Sequence, residues 1–157
     1  KIRFGGVFPM HVVRLVKPKF SFCEQRIMDE HILTSGKVFY LKNELLDDNL
    51  NEISHWIEKH NYYSSLEAKQ IFIENNSKYA SELQLSSKSK LRRILKESIY
   101  LKTPLFLRAF LYFVYRYFFR VGLFDGVRGF AFHFLQGFWY RFLVDLKLYN
   151  LMKKRGE

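Results

Sequence analysis

Aromatic side chains crowd one stretch of this chain: 17 of its 29 Phe, Tyr and Trp residues lie between Phe106 and Tyr149. A segment that dense in rings needs an apolar surrounding, either a protein core or lipid. The same stretch is basic. Residues 1–22 hold five basic and no acidic side chains, residues 23–82 hold six basic and eleven acidic, and residues 83–157 hold fifteen basic and four acidic. The blocks carry +5, −5 and +11, which sum to the overall +11 on 157 residues. A basic domain built for nucleic acid does not usually interrupt itself with an acidic module, and these basic residues follow no recognisable reading motif, so no nucleic-acid partner is expected. A catalytic body followed by a cationic, membrane-surface tail accounts for the pattern. An apolar content of 48% is enough for a core, and the single Cys23 excludes a disulfide framework and any multi-cysteine zinc site. The chain opens on Lys1 with no leader pattern, so it is expected to be a piece of something longer.

Along the chain, Val12-Val13-Arg14-Leu15-Val16 is a β-branched run bracketed by Pro9 and Pro18 and predicts a short buried strand. Further strands are expected at 20–22, within 27–33, and at 37–41 after the turn Thr34-Ser35-Gly36. From Asp48 the period changes: Leu50, Ile53, Trp56 and Ile57 predict a helix over 48–60 behind the candidate caps Asp47 and Asp48, with Trp56 in the core. A second helix is expected from Ser65 to about 83, and Leu85-Ser86-Ser87-Lys88-Ser89-Lys90 reads as a polar linker.

Beyond the linker comes a basic amphipathic segment over 91–100. Pro104 is then well placed to open a long helix to about 121, and Gly122-Leu123-Phe124-Asp125-Gly126 is a turn before a second helix over 127–152. Together they predict a helical hairpin. A bilayer span wants about 20 residues with few charges. Arg108, Arg116 and Arg120 interrupt the first helix, and Arg128, Arg141, Asp145 and Lys147 the second. The three arginines of the first helix fall near one face, opposite Phe106, Phe110, Leu111 and Phe113. That pattern predicts a helix lying in the interface, its arginines snorkelling to head groups and Trp139 among its membrane contacts. The core of a helical bundle is the alternative. Arg92, Arg93 and Lys96 read as a basic face toward anionic lipid, or as an ordinary solvated face.

The other informative place is Arg26-Ile27-Met28-Asp29-Glu30-His31-Ile32, which sets two adjacent carboxylates and an imidazole beside a predicted strand. Carboxylates so placed can take a proton from a hydroxyl or hold a divalent cation, and apolar neighbours would raise their pKa toward working pH. The same pair also suits a solvated turn.

This string, the upstream Gly5-Gly6-Val7-Phe8-Pro9 with Arg14-Leu15, the later Asp47-Asp48-Asn49-Leu50-Asn51 and Lys59-His60-Asn61-x-Tyr63, and the tail Phe132-His133-Phe134-Leu135-Gln136-Gly137-Phe138-Trp139-Tyr140-Arg141-Phe142 resemble the C-terminal half of bacterial family 2 glycosyltransferases. The nearest likeness is to inverting, membrane-associated enzymes of exopolysaccharide or lipopolysaccharide synthesis.

The resemblance implies an α/β fold, α+β within this segment: the C-terminal part of a Rossmann-like GT-A domain followed by membrane-interfacial helices. Residues 1–84 would be the acceptor-side portion, 85–103 a basic amphipathic link, and 104–152 the membrane-associated hairpin. A preceding half would bind the nucleotide-sugar donor and hold a divalent Mg or Mn ion through an Asp-x-Asp motif, which these 157 residues lack. On its own the segment is not expected to transfer sugar. Glu30 matches the family's general base, with Asp29 second. Arg14, Arg26, His31, Gly5 and Gly6 are the expected substrate contacts, and His31 is also a possible metal ligand. The acceptor would be a saccharide or lipid-linked, and the place the cytoplasmic face of the bacterial inner membrane. A reading of another class is a non-catalytic, basic peripheral membrane protein with a small N-terminal interaction module.

Overall fold

The computed structural model describes residues 2–24, 27–28, 31–45, 50–76 and 103–156. Within them a small antiparallel sheet and a set of helices give the mixed α and β content that was expected. The sheet pairs β1 (Ser21–Cys23) with β2 (Ile32–Thr34), and its register sets Ser21 opposite Thr34, Phe22 opposite Leu33 and Cys23 opposite Ile32. Glu24 N–H donates to His31 C=O at one end, and Ser35 N–H donates to Phe20 C=O at the other.

The strands expected at 12–16 and 37–41 do not form; both stretches are irregular and exposed. A β-branched run becomes a strand only where a neighbour completes its ladder, and among the described residues the sheet has two strands only. Arg14 therefore sits on exposed, irregular backbone rather than on a strand.

The two helices expected over 48–60 and from Ser65 onward are one element, α1 (Ile53–Asn76). Ser64 and Ser65 resemble a helix start in sequence, yet here they lie mid-helix. Their hydroxyls donate back to Asn61 C=O at 2.7 and 3.3 Å, which satisfies them without ending the helix. Ser64 and Ala68 are fully buried. Small residues at these two positions let another helix come close.

That neighbour is the last helix of the chain. The hairpin expected beyond Pro104 is present: α2 (Leu107–Val114) continues as a π-helical stretch (Tyr115–Phe119), a 3-10 turn covers Gly122–Asp125, and α3 (Gly126–Phe132) passes through a second π stretch (His133–Trp139) into α4 (Tyr140–Arg155). Tyr140, Val144 and Leu148 of α4 pack on Ala68, with Tyr63, Ile71, Phe72, Leu105 and Leu151 around them. Two polar clamps fix the pair. Glu67 accepts from Tyr140 Oη at 2.6 Å and from Arg141 Nη1 at 2.8 Å. Lys147 Nζ shares its three hydrogens among Asn61 C=O and Oδ1 and the Oγ atoms of Ser64 and Ser65, all within 2.8 Å. Burial without a carboxylate partner pushes the Lys147 pKa below its ordinary value.

Trp56 stacks on His60, with ring centroids 3.6 Å apart, and meets Trp139 at 6.2 Å. Trp139, expected among the membrane contacts, is half-buried and packs against the core of this helix pair.

Candidate functional site at the hairpin turn

Two of the three arginines of the first arm point inward rather than outward as expected. Arg108 and Arg116, expected to snorkel outward, are buried at 3% and 9% exposure. The face opposite them is the open one: Phe110 and Leu111 are half exposed, and toward the turn Phe118, Phe119 and Phe124 are more so, with Phe119 at 76%.

The reason is a counter-charge on the second arm. Asp145 is fully buried; one of its carboxylate oxygens accepts from Arg108 Nε at 2.7 Å and from Arg108 Nη2, and the other accepts the Phe106 N–H at 2.8 Å. Phe106 precedes α2 with φ of +68°, a backbone state unfavourable for a residue with a Cβ. The bond from Asp145 holds it there and satisfies a helix N-terminal donor at the same time. Arg116 is held differently. Its Nε donates to Gly5 C=O at 3.1 Å, and its guanidinium lies near the rings of Tyr112 and Phe132 at 5.5 and 5.8 Å.

Arg120 was expected on the same face as Arg116, four residues away. The π turn separates them: Arg120 N–H reaches back five residues to Tyr115 C=O at 2.9 Å, and the helix ends there. Arg120 is exposed while Arg116 is buried. Val121 follows in the left-handed region at φ +54°, where glycine is usual, and turns the chain into Gly122.

The turn forms a seat for the start of the chain. Gly5 N–H donates to Arg120 C=O at 2.9 Å, and the Asp125 carboxylate accepts the backbone N–H groups of Arg3 and Phe4 at 2.9 to 3.2 Å. Beneath lies His133, fully buried, with neither ring nitrogen hydrogen-bonded to any described residue. It is walled by glycine: a Cβ on Gly5 would stand 2.0 Å from His133 Cε1, and one on Gly122 2.6 Å from its Cδ2. Burial and then the Arg116 charge push the His133 pKa below 6.5, with Asp125 pulling it partly back.

Gly5 and Gly6, expected to approach a substrate, thus approach the hairpin. His31 is exposed and its Nδ1 lies 3.3 Å from the buried Glu24 carboxylate. Glu30, Asp29 and Arg26, with Arg92, Arg93 and Lys96 and the caps Asp47 and Asp48, lie outside the described residues. Among the described residues, no three His, Cys, Asp or Glu side chains come together as a metal site, and no helix is long and apolar enough to cross a membrane.

Sequence reasoning missed Asp145, Asp125, His133 and Arg3 as organising residues. Asp125 and Asp145 are the two acids in the stretch 103–156. An isolated acid among arginines and rings was the signal available. No protein-family model, no curated protein and no solved structure matches the chain.

Proposed function

We propose that the chain is the acceptor-side, membrane-associated portion of an inverting sugar transferase of the family 2, GT-A type, seated on the membrane surface by its hairpin. The observation that carries the membrane part is the hairpin: charged side chains are enclosed and phenyl rings face out, with the cations Arg120 and Arg128 exposed among them. Water penalises that arrangement, whereas a lipid interface rewards it.

The transfer step rests on the resemblance of the segment around Asp29-Glu30. In that reading Glu30 takes the proton from an acceptor hydroxyl. The hydroxyl oxygen bonds to the anomeric carbon from the face opposite the nucleotide diphosphate, which leaves with the electron pair of the broken bond. In that reading the donor phosphates and their divalent ion are held by the donor-binding half that the family pattern implies.

The test is Glu30→Gln in the complete transferase. General-base loss is expected to lower transfer on the order of 10²- to 10⁴-fold while donor binding persists. Transfer at the parent rate would exclude Glu30 as the base, and Asp29→Asn would then be the variant to lose it.

A further inference from the structure

We propose that the cleft between Arg3, Gly6 and Arg120 binds the phosphate of a membrane lipid. The proposal rests on the membrane reading above and names what the turn recognises there. The cleft has a volume of about 270 Å³ and opens at the surface where the first residues of the chain meet the hairpin turn.

Arg3 and Arg120 line it, the Arg120 guanidinium against Gly6, and neither arginine has an acidic partner among the described residues. Asp125, the nearby acid, has its carboxylate taken up by the backbone N–H groups of Arg3 and Phe4. It holds Arg3 in place without neutralising it. On the other side, Arg120 is fixed through its main chain, which accepts from Gly5 N–H.

Gly6 completes the floor. It has φ of +70°, and a Cβ there would stand 2.8 Å from Arg120 Nε, so the Arg120 side chain lies directly over glycine backbone. Any larger residue would displace the guanidinium. Arginine pairs match phosphate oxygens in geometry as well as charge.

The rim decides what the phosphate is attached to. Phe8, Phe119 and Val121 border the cleft, and Phe119 is also part of the exposed ring surface of the hairpin. A phosphate held by the arginines would lead its attached chain onto those rings, which suits a lipid rather than a free anion. This differs from general attraction to a charged surface because it is saturable and reads the phosphate itself.

The experiment is co-sedimentation of the protein with three kinds of vesicle: phosphatidylcholine alone, phosphatidylcholine with phosphatidic acid, and phosphatidylcholine with oleate matched in surface charge. The parent protein should prefer phosphatidic acid over oleate by about tenfold, and Arg3→Gln/Arg120→Gln should abolish that preference while ring-driven binding to phosphatidylcholine persists. Both arginines are exposed, so the double variant should unfold at the parent temperature. Gly6→Ala should lose the preference through the displaced Arg120. Equal binding to phosphatidic acid and oleate, or a preference that survives in the double variant, would overturn the lipid-phosphate site and leave the membrane reading standing. Saturable binding of inorganic phosphate in the absence of vesicles, matching the phosphatidic acid affinity, would make the ligand a soluble phosphate and overturn the lipid assignment. No binding to any vesicle would overturn the membrane reading and the site with it.

Discussion

The second arm of the hairpin serves two surroundings along one nearly continuous helical stretch. Over Tyr140–Arg155 it packs as helices in water do: Tyr140, Val144 and Leu148 face Ala68 of α1, and the basic residues at its end are exposed. Over Gly126–Trp139 the arrangement reverses, with Gly129, His133 and Gly137 inside and Val127, Phe130 and Phe134 facing out. The polar contacts of the two parts differ as well: Lys147 of Tyr140–Arg155 bonds α1 and Asp145 bonds Arg108, whereas His133 of Gly126–Trp139 is buried beside Gly5 and Gly122 with no hydrogen bond among the described residues. Where apolar residues end up is settled here by where the charges find partners.

The comparison breaks most strongly at Asp145. Asp145→Ala leaves Arg108 buried without its counter-charge and Phe106 without its acceptor, and is expected to cost about 3–5 kcal/mol in denaturant unfolding. If Arg108 were free to turn outward, the loss would be under about 1 kcal/mol. The outward rings are the next test. Phe119→Ser/Phe124→Ser should leave unfolding unchanged, since both rings are exposed, and weaken vesicle binding by about 1–2 kcal/mol per ring. A stability loss with unchanged vesicle binding would mean that these rings face protein.

The smallest effect concerns His133. Its folded pKa lies below 6.5, so the unfolded chain binds this proton more readily than the folded one. The contribution to stability is full above about pH 6.5 and is lost as pH falls through the lowered folded value. Urea midpoints measured across that window should decline toward acid, and His133→Gln should flatten the decline. An equal slope in the variant would assign it to another group.

Much of the architecture was legible and its orientation was not. Pro104 and the Gly122–Asp125 turn marked the hairpin arms because those residues act locally on the backbone. Helical spacing placed Arg108 and Arg116 opposite Phe110 and Leu111, and that division holds. Spacing tells which residues share a face, and says nothing of which face turns inward; that depended on Asp145, 37 residues from Arg108. The π turn between Arg116 and Arg120 leaves no simple signal, because it changes the period within a few residues. Ser64-Ser65 mimicked a helix start, since the hydroxyl that caps a helix can equally bond back to the turn before it. The run at 12–16 had strand propensity and no partner to use it. Of the candidate site, Gly5 and Gly6 were singled out, but for a sugar rather than for the hairpin they contact.

The seat at the turn also imposes an order of events. Gly5 meets Arg116 across 111 residues and Arg3 meets Asp125 across 122, so the seat joins partners far apart in sequence. Contacts that distant in sequence form slowly. The hairpin's own link between Arg108 and Asp145 spans 37 residues, so the hairpin can settle before residues 3–6 close over His133.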